Sequence, residues 1–157
     1  MYLQNFKNKI AQSSIGKKKR PCTEQDVRFL EEKLGLSLPT AYKEFLLWGG
    51  HNPGRIWEGS DCCFKDLINL QDSALELLEE NNFPGSLPED SFVFFMHQGY
   101  QFMFFRIKEG EDPPIYFYKE SLQNPLNSFI KLHCSFSECL IKEVEFQEQI
   151  RKNKWDK

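Results

Sequence analysis

Long apolar runs are missing from this sequence. No stretch approaches the roughly 20 consecutive apolar residues that a membrane-spanning helix requires. Residues 1–15 include basic side chains but no continuous apolar segment and no small-residue cleavage site, a pattern that excludes a typical secretory signal. We therefore expect a cytoplasmic protein that has no membrane partner.

After the first 20 positions, basic residues are fewer than acidic ones. Residues 1–20 hold six basic side chains and no acid, whereas the remainder has 14 basic against 23 acidic residues, a net charge of −9. An acidic body disfavours binding to nucleic acid, which requires many neutralised phosphates, so no specific nucleic-acid partner is expected. Complementary charge would suit a basic protein partner, although ordinary solubilising charge explains the same balance.

Metal-site spacing is absent among the cysteines. Their count of five is odd, so they cannot all pair within one molecule. Cys62 and Cys63 are adjacent, and Cys134 and Cys139 would face different directions if both lay on one helix. Because no export signal is found, we expect reduced thiols, and we predict that no metal is bound.

Catalytic signatures are missing as well. The sequence contains no phosphate-cradling glycine loop, no paired-histidine metal motif and no nucleophile elbow. A cysteine nucleophile would need a base and an orienting group close in space, and sequence alone does not show such an arrangement. We predict a protein without catalytic residues or cofactors, and thus not an enzyme.

What the chain does contain is the size and apolar content of one folded domain. It has 157 residues, of which 40% are hydrophobic and 15% aromatic. Residues 23–35 predict a helix that a threonine caps and a glycine ends, and residues 38–50 predict a second helix, so the two would form an αα-hairpin. A third helix is predicted over residues 67–80.

Three short runs of strand-forming residues predict an antiparallel meander: residues 91–96, 100–105 and 115–118. Both faces of the second run are apolar, so we expect it to lie centrally in the sheet. A further short strand is predicted around Ile56 and Trp57.

A last helix is predicted to start near Ser128 or Ser135, with Phe129 and Leu132 on its apolar stripe. The order of elements predicts an α+β fold, with a central, mainly antiparallel sheet flanked by helices. We divide the chain into a basic lead-in over residues 1–22, a single domain over residues 23–150 and a solvated tail over residues 151–157.

One segment resembles the signature of a known superfamily. In residues 38–50, LPTAYKEFLLWGG, a leucine-proline pair is followed by a tyrosine, a phenylalanine-leucine pair and a double glycine. This pattern is similar to that of the SUKH superfamily, whose founding member regulates cell-wall synthesis in yeast. The capped helix from Thr23, the aromatic strands on either side of Gly99 and the Ser135-Phe136 segment agree with it, so the resemblance covers roughly residues 23–144.

The resemblance implies an α+β fold with helices flanking the sheet, and it implies no catalytic residue set. Bacterial members are similar to immunity proteins, which bind a cognate toxin domain, often a nuclease, and block it. Fungal members are regulatory scaffolds. We predict a monomeric immunity protein that occludes the active site of a toxin. The alternative is a regulatory scaffold that binds endogenous partner proteins.

Two segments combine the aromatic, polar and charged residue types that are typical of binding hot spots. The first follows the double glycine and the second is the predicted turn between strands. The alternative explanation is a helix stop in the first segment and an ordinary hairpin tip in the second. The candidate partner-binding residues are Trp48, His51, Asn52, Arg55, Trp57, Glu58, Asp61, Gln98, Tyr100 and Gln101.

Overall fold

The computed structural model describes residues 1–120 and 126–155. Its helices and strands form an α+β arrangement, which confirms the predicted fold class. In chain order they are α1 (Gln4–Ala11), α2 (Glu24–Leu34), α3 (Thr40–Gly49), α4 (Phe64–Glu80), β1 (Ser91–His97), β2 (Gln101–Arg106), β3 (Pro114–Lys119), β4 (Ile130–Ser135) and α5 (Phe136–Trp155).

Helices α2 and α3 form where the sequence predicts them. The Thr23 hydroxyl accepts a hydrogen bond from the Asp26 N–H at 3.1 Å, and the Asp26 carboxylate accepts one from the Thr23 N–H at 2.9 Å. This reciprocal capping box satisfies two main-chain donors that the start of a helix leaves unpaired. Gly35 ends α2 in the left-handed conformation at φ 66°, and Pro39 directly precedes α3.

The sheet has the order β1-β2-β3-β4, and every neighbouring pair is antiparallel. Gln98 and Gly99 make the β1–β2 turn with positive φ angles of 51° and 75°, a backbone that suits a tight hairpin. The predicted three-strand meander is confirmed. Strand β4 was not predicted. Of the two predicted starts of the last helix, the one near Ser135 agrees with α5, which begins at Phe136, whereas the one near Ser128 is wrong because residues 130–135 form β4.

Aromatic side chains pack on both faces of β2, as expected for a central strand. On one face, Phe105 lies 5.3 Å from Tyr42 of α3 and 6.1 Å from Phe136 of α5, measured between ring centroids. On the other face, Phe104 lies 5.0 Å from Phe129. The sheet therefore separates two aromatic layers, and α3 and α5 cover only the first.

The predicted lead-in contributes side chains to the same core. Leu3 and Phe6 are fully buried, Ile15 is 1% exposed, and α1 packs against α5. Phe6 meets Trp48 edge-on with 4.9 Å between ring centroids. Residues 1–15 are thus packed together with the predicted domain of residues 23–150, while Lys17 to Arg20 remain exposed.

At the other end of the chain, α5 continues to Trp155, so residues 151–155 of the predicted tail are helical. Residues 156 and 157 lie outside the described part of the chain. Among the described residues, no helix is long and apolar enough to cross a membrane.

Two further expectations were wrong. Residues 54–59 form turns rather than a strand, and Trp57 has a positive φ of 52°. Cys134 and Cys139 form a disulfide, with their Cα atoms 5.8 Å apart, whereas Cys22, Cys62 and Cys63 are free thiols. The expectation of reduced thiols rested on the absence of an export signal, whereas the fold places Cys134 in β4 next to Cys139 in the first turn of α5.

Candidate functional site

The two candidate segments lie side by side. The main chains of Asp61 and Met96 pair as an isolated antiparallel bridge along the outer edge of β1. The Ser60 hydroxyl lies 2.8 Å from His97 Nδ1, next to the hairpin turn. The loop after α3 and the β1–β2 turn, which are distant in sequence, therefore form one continuous surface.

Trp48 and Trp57 do not belong to that surface. Each is only 7% exposed, although Trp57 contributes to the lining of the groove described below. Trp48 is covered by the lead-in, where it packs on Phe6, and the Trp57 ring lies 5.6 Å from Phe45 and 5.5 Å from Phe94. Both rings support the loop from beneath.

His51 and Asn52 serve local structure. The His51 Nε2 atom lies 2.9 Å from the Asp26 carboxylate, at the start of α2. The Asn52 side-chain oxygen accepts a hydrogen bond from the Gly54 N–H at 2.9 Å, and its main chain pairs with Arg20. Both side chains are half-buried.

The other six candidate residues reach solvent. Four of them are exposed and two, Tyr100 and Gln101, are half-buried at the hairpin. The exposed residues are Arg55, Glu58, Asp61 and Gln98. Of these six side chains, Gln101 lines a depression that the sequence interpretation did not find.

That depression, which we call the apolar groove, has a volume of about 580 Å³ and lies between α5 and the part of the sheet that α5 leaves uncovered. Residues of all four strands and Trp57 of the loop after α3 line it on one side, and α5 lines it on the other. It is lined by Trp57, Phe95, Gln101, Met103, Ile115, Phe117, Leu132, His133, Cys134, Cys139, Lys142, Glu143 and Phe146.

The centre of the apolar groove is rich in large apolar side chains. Met103 and Phe117 are direct cross-strand partners, and both are half-buried. Phe146 of α5 also lines the groove and is 58% exposed. The period-two spacing of Met103 with Phe105 and of Ile115 with Phe117 is the sequence signal that could have located the floor, because such residues share one face of a strand.

Glu143 is a partly buried carboxylate in the wall of the apolar groove. It accepts hydrogen bonds from the Trp57 N–H at 3.4 Å and from the Gln147 side chain at 2.9 Å. Burial raises the pKa of Glu143 above its ordinary value, and the two hydrogen bonds oppose that rise. The groove wall therefore carries a carboxylate whose ionised form is disfavoured.

A basic concavity adjoins the apolar groove on the other side of Phe146. It consists of two depressions of about 380 and 650 Å³ that share Arg55, Glu58 and Arg151. Five cations and one carboxylate line it: Lys17, Lys18, Arg55, Arg151, Lys154 and Glu58. The acidic charge of the body is therefore not uniform, because this surface is locally basic.

A third cluster could hold a metal ion. Cys22, Asp26 and His51 offer a thiol, a carboxylate and an imidazole whose ligand atoms all lie within 4.8 Å of one another. Burial, with smaller contributions from Asp26 and Cys63, raises the pKa of the Cys22 thiol to about 12. The Asp26 pKa is lowered by its hydrogen bonds with the Thr23 main chain and His51.

Comparison with known protein families identifies the family of this chain. The model of the SMI1 / KNR4 family (SUKH-1) matches residues 21–142. The chain belongs to this family. The match confirms the resemblance inferred from residues 38–50, and it covers most of the stretch to which that resemblance was assigned. A search among curated proteins found no match.

The match also divides this SUKH-1 chain into two parts. The matched region holds α2 to β4 and the first turns of α5, whereas α1 and residues 143–155 of α5 lie outside it. These outer parts pack on each other, and the Lys9 Nζ atom of α1 lies 3.6 Å from the Glu145 Oε1 atom of α5. Phe146 and four of the five cations of the basic concavity belong to the parts outside the match.

Proposed function

We propose that this SUKH-1 domain is an immunity protein that binds a cognate toxin domain, such as a nuclease, and blocks its active site. Membership of the family supports a protein-binding role without catalysis. The observation that carries the proposal is the apolar groove, whose large side chains remain accessible next to a polar rim. Protein interfaces combine an apolar centre of this kind with a polar, solvated border.

In this proposal Phe146, Met103 and Phe117 are the anchors of the interface. Few residues carry most of the energy of a protein complex, and they lie near its centre, where water is excluded. Gln101 lines the apolar groove, and Arg55 and Glu58 line the adjoining basic concavity. We propose that these three, together with Asp61, Gln98 and Tyr100 of the loop and the hairpin, form the border of the interface. Their part is to exclude water and to set the orientation of the partner.

Charge favours a partner whose surface carries both basic and acidic patches. The chain has a net charge of −3, which would attract a basic protein, but the basic concavity lies next to the apolar groove. A toxin docked over both surfaces would therefore present an acidic patch opposite Arg55 and Arg151. Such pairs at the rim chiefly affect the rate of association and the choice of partner.

Co-expression with candidate toxin domains, taken first from toxin-like products of neighbouring genes, tests the proposal. We expect growth to be rescued and the two proteins to co-purify as a one-to-one complex. Charge reversal at Glu58 or Asp61 then tests the rim, since both side chains are exposed and their replacement should leave the fold intact.

Absence of both rescue and complex, with an active toxin and a folded domain, would overturn the proposal for that pair. It would favour a regulatory scaffold that binds endogenous partners. The two roles also differ in affinity, because inhibition of a lethal enzyme requires nanomolar binding or tighter, whereas a regulator can function with weaker binding.

A further inference from the structure

We propose that Cys22, Asp26 and His51 form a binding site for a divalent cation of the zinc class. This cluster is separate from the residues that line the apolar groove and from the proposed toxin-binding function. Cys22 immediately precedes the capped start of α2, Asp26 lies in its first turn, and His51 follows the double glycine that ends α3.

Main-chain contacts bring these three residues together. The Cys22 N–H donates to the Leu46 carbonyl at 2.9 Å, and the His51 N–H donates to the Arg20 carbonyl at 3.0 Å. A Cβ atom on Gly50 would lie 2.5 Å from the Cys22 Sγ atom, so the thiol sits where only a glycine permits it. The backbone therefore fixes the position of the thiol beside the other two ligands.

The distances between the ligand atoms suit one shared ion. All three atoms lie within 4.8 Å of one another, and His51 Nε2 lies 2.9 Å from Asp26 Oδ2. Zinc bonds of about 2.0–2.3 Å in a tetrahedron place ligand atoms roughly 3.3–3.8 Å apart. Small side-chain rotations would thus convert the present hydrogen bond into joint coordination of the ion.

Neighbouring groups already orient two of the ligands. The Thr23 N–H donates to the same Asp26 carboxylate oxygen, at 2.9 Å, that faces His51. The Phe64 ring meets the imidazole edge-on, with 5.1 Å between ring centroids. Outer contacts of this kind fix the orientation of metal ligands and sustain metal affinity.

The donor set selects the class of metal. A thiolate and an imidazole favour zinc-like ions over magnesium or calcium, which prefer oxygen ligands. Three protein ligands leave a fourth tetrahedral position for water. Because the site joins the start of α2 to the end of α3, a bound ion would clamp the αα-hairpin at the double-glycine loop.

The test is titration of the chelator-treated protein with Co²⁺, followed by absorption, and with Zn²⁺, followed by calorimetry and thermal unfolding. We expect one equivalent to bind, a near-ultraviolet thiolate-to-cobalt band to appear, and Zn²⁺ to raise the unfolding temperature. Loss of a residue that only orients a metal ligand weakens metal binding by roughly 10–100-fold. Cys22→Ser and His51→Gln each remove a ligand itself, so each should weaken binding by at least this factor.

The adjacent thiols of Cys62 and Cys63 are the competing site, so Cys63→Ser is the matched control. Cys63 is the residue that caps α4, a position that serine fills well, and this variant should retain the cobalt band. His51 is half-buried, so His51→Gln should fold even if Cys22→Ser does not. No binding at micromolar metal, undiminished binding in His51→Gln, or loss of the band in Cys63→Ser alone would overturn the proposal.

Discussion

The two glycines of the family signature differ sharply in their surroundings. A Cβ atom on Gly50 would meet the Leu46 carbonyl oxygen at 2.8 Å, besides the Cys22 thiol, whereas a Cβ on Gly49 would have only ordinary contacts at 3.7 Å or more. Only Gly50 is therefore required for the close approach of residue 22 to the end of α3.

This difference predicts opposite responses to alanine. Gly50→Ala should lower the free energy of unfolding by about 1–3 kcal/mol, because the added methyl group overpacks a site bounded by backbone. Gly49→Ala, the matched control at the last residue of α3, should be neutral or stabilising by up to about 1 kcal/mol. Urea denaturation of both variants measures the effect, and equal costs would contradict this account of the motif.

Glu143 makes a pH-dependent contribution to stability. Burial raises its pKa above the ordinary 4.5, so the carboxylate binds protons more tightly in the folded chain than in the unfolded chain. Its contribution is therefore fully present below pH 4.5 and is lost as the pH rises through the folded-state pKa.

The Glu143→Gln variant has no ionisable group at this position, so it does not lose stability as the pH rises through the pKa of Glu143. It keeps a side-chain oxygen that can accept a hydrogen bond from the Trp57 N–H. We predict that the variant gains stability relative to the wild type at pH 7, and that the gain shrinks toward pH 4. Urea unfolding at both pH values measures it. A difference between variant and wild type that is independent of pH would show that the buried carboxylate is not responsible.

At the scale of the elements, α4 closes one edge of the sheet with a single side chain. The Gln71 amide donates to the Val93 carbonyl at 2.8 Å and accepts from the Val93 N–H at 3.0 Å. The main chain of Asp61 pairs with Met96 farther along the same edge. Unpaired edges promote association between chains, and these contacts remove that risk at β1.

Gln71→Ala would leave both polar groups of Val93 without their partner. We predict a loss of about 1–3 kcal/mol in the free energy of unfolding, the cost of an unsatisfied buried hydrogen-bonding group. The Val93 amide should also exchange faster with deuterium. Asn69→Ala, at an exposed position of the same helix, is the control and should change stability by less than about 0.5 kcal/mol.

Helix α1 provides a second test at this scale, because it lies outside the family match but inside the core. Phe6→Ala should cost about 3–5 kcal/mol, since the ring is fully buried against Trp48. Phe29→Ala, whose ring is 52% exposed on α2, should cost far less. If both variants unfold at the same urea concentration, the lead-in does not support the domain.

These elements also show where sequence reasoning succeeds. Helices α2 and α3 were predictable because a capping box, a left-handed glycine and a proline mark their ends locally. Strand β4 was not, because Phe129, Leu132 and Phe136 happen to recur at helical spacing although the first two lie before or within the strand. Pairing with β3 overrides that spacing, and pairing is a property of distant residues.

Little of the candidate site could be predicted from the sequence: of the ten candidate residues, Trp57 and Gln101 line the apolar groove. The loop and the hairpin were found from their residue types, but the burial of Trp48 and Trp57 depends on packing by α1 and the sheet. The apolar groove escaped notice because its floor and wall come from four strands and a helix. No local pattern indicates that α5 leaves Met103 and Phe117 uncovered.

At the scale of the whole molecule, the apolar groove and the basic concavity meet at Phe146, which lines both. The lining residues of the apolar groove other than Glu143 and Phe146 belong to the matched SUKH-1 region, whereas four of the five cations of the adjoining basic concavity lie outside it. If the proposed toxin docks over both surfaces, the residues outside the match contribute to its selection, because specificity rests on differences between affinities.

The affinity of the purified domain for the toxin domain that we propose it binds, measured by calorimetry for the wild type, Phe146→Glu and Phe29→Glu, tests the central claim most directly. Phe29 is the matched control, because its ring is 52% exposed and that of Phe146 is 58% exposed. We predict nanomolar or tighter binding for the wild type, a loss of at least about 2 kcal/mol, or roughly 30-fold, for Phe146→Glu, and no change for Phe29→Glu. Undiminished affinity of a folded Phe146→Glu variant would contradict the claim that the apolar groove is the toxin-binding surface.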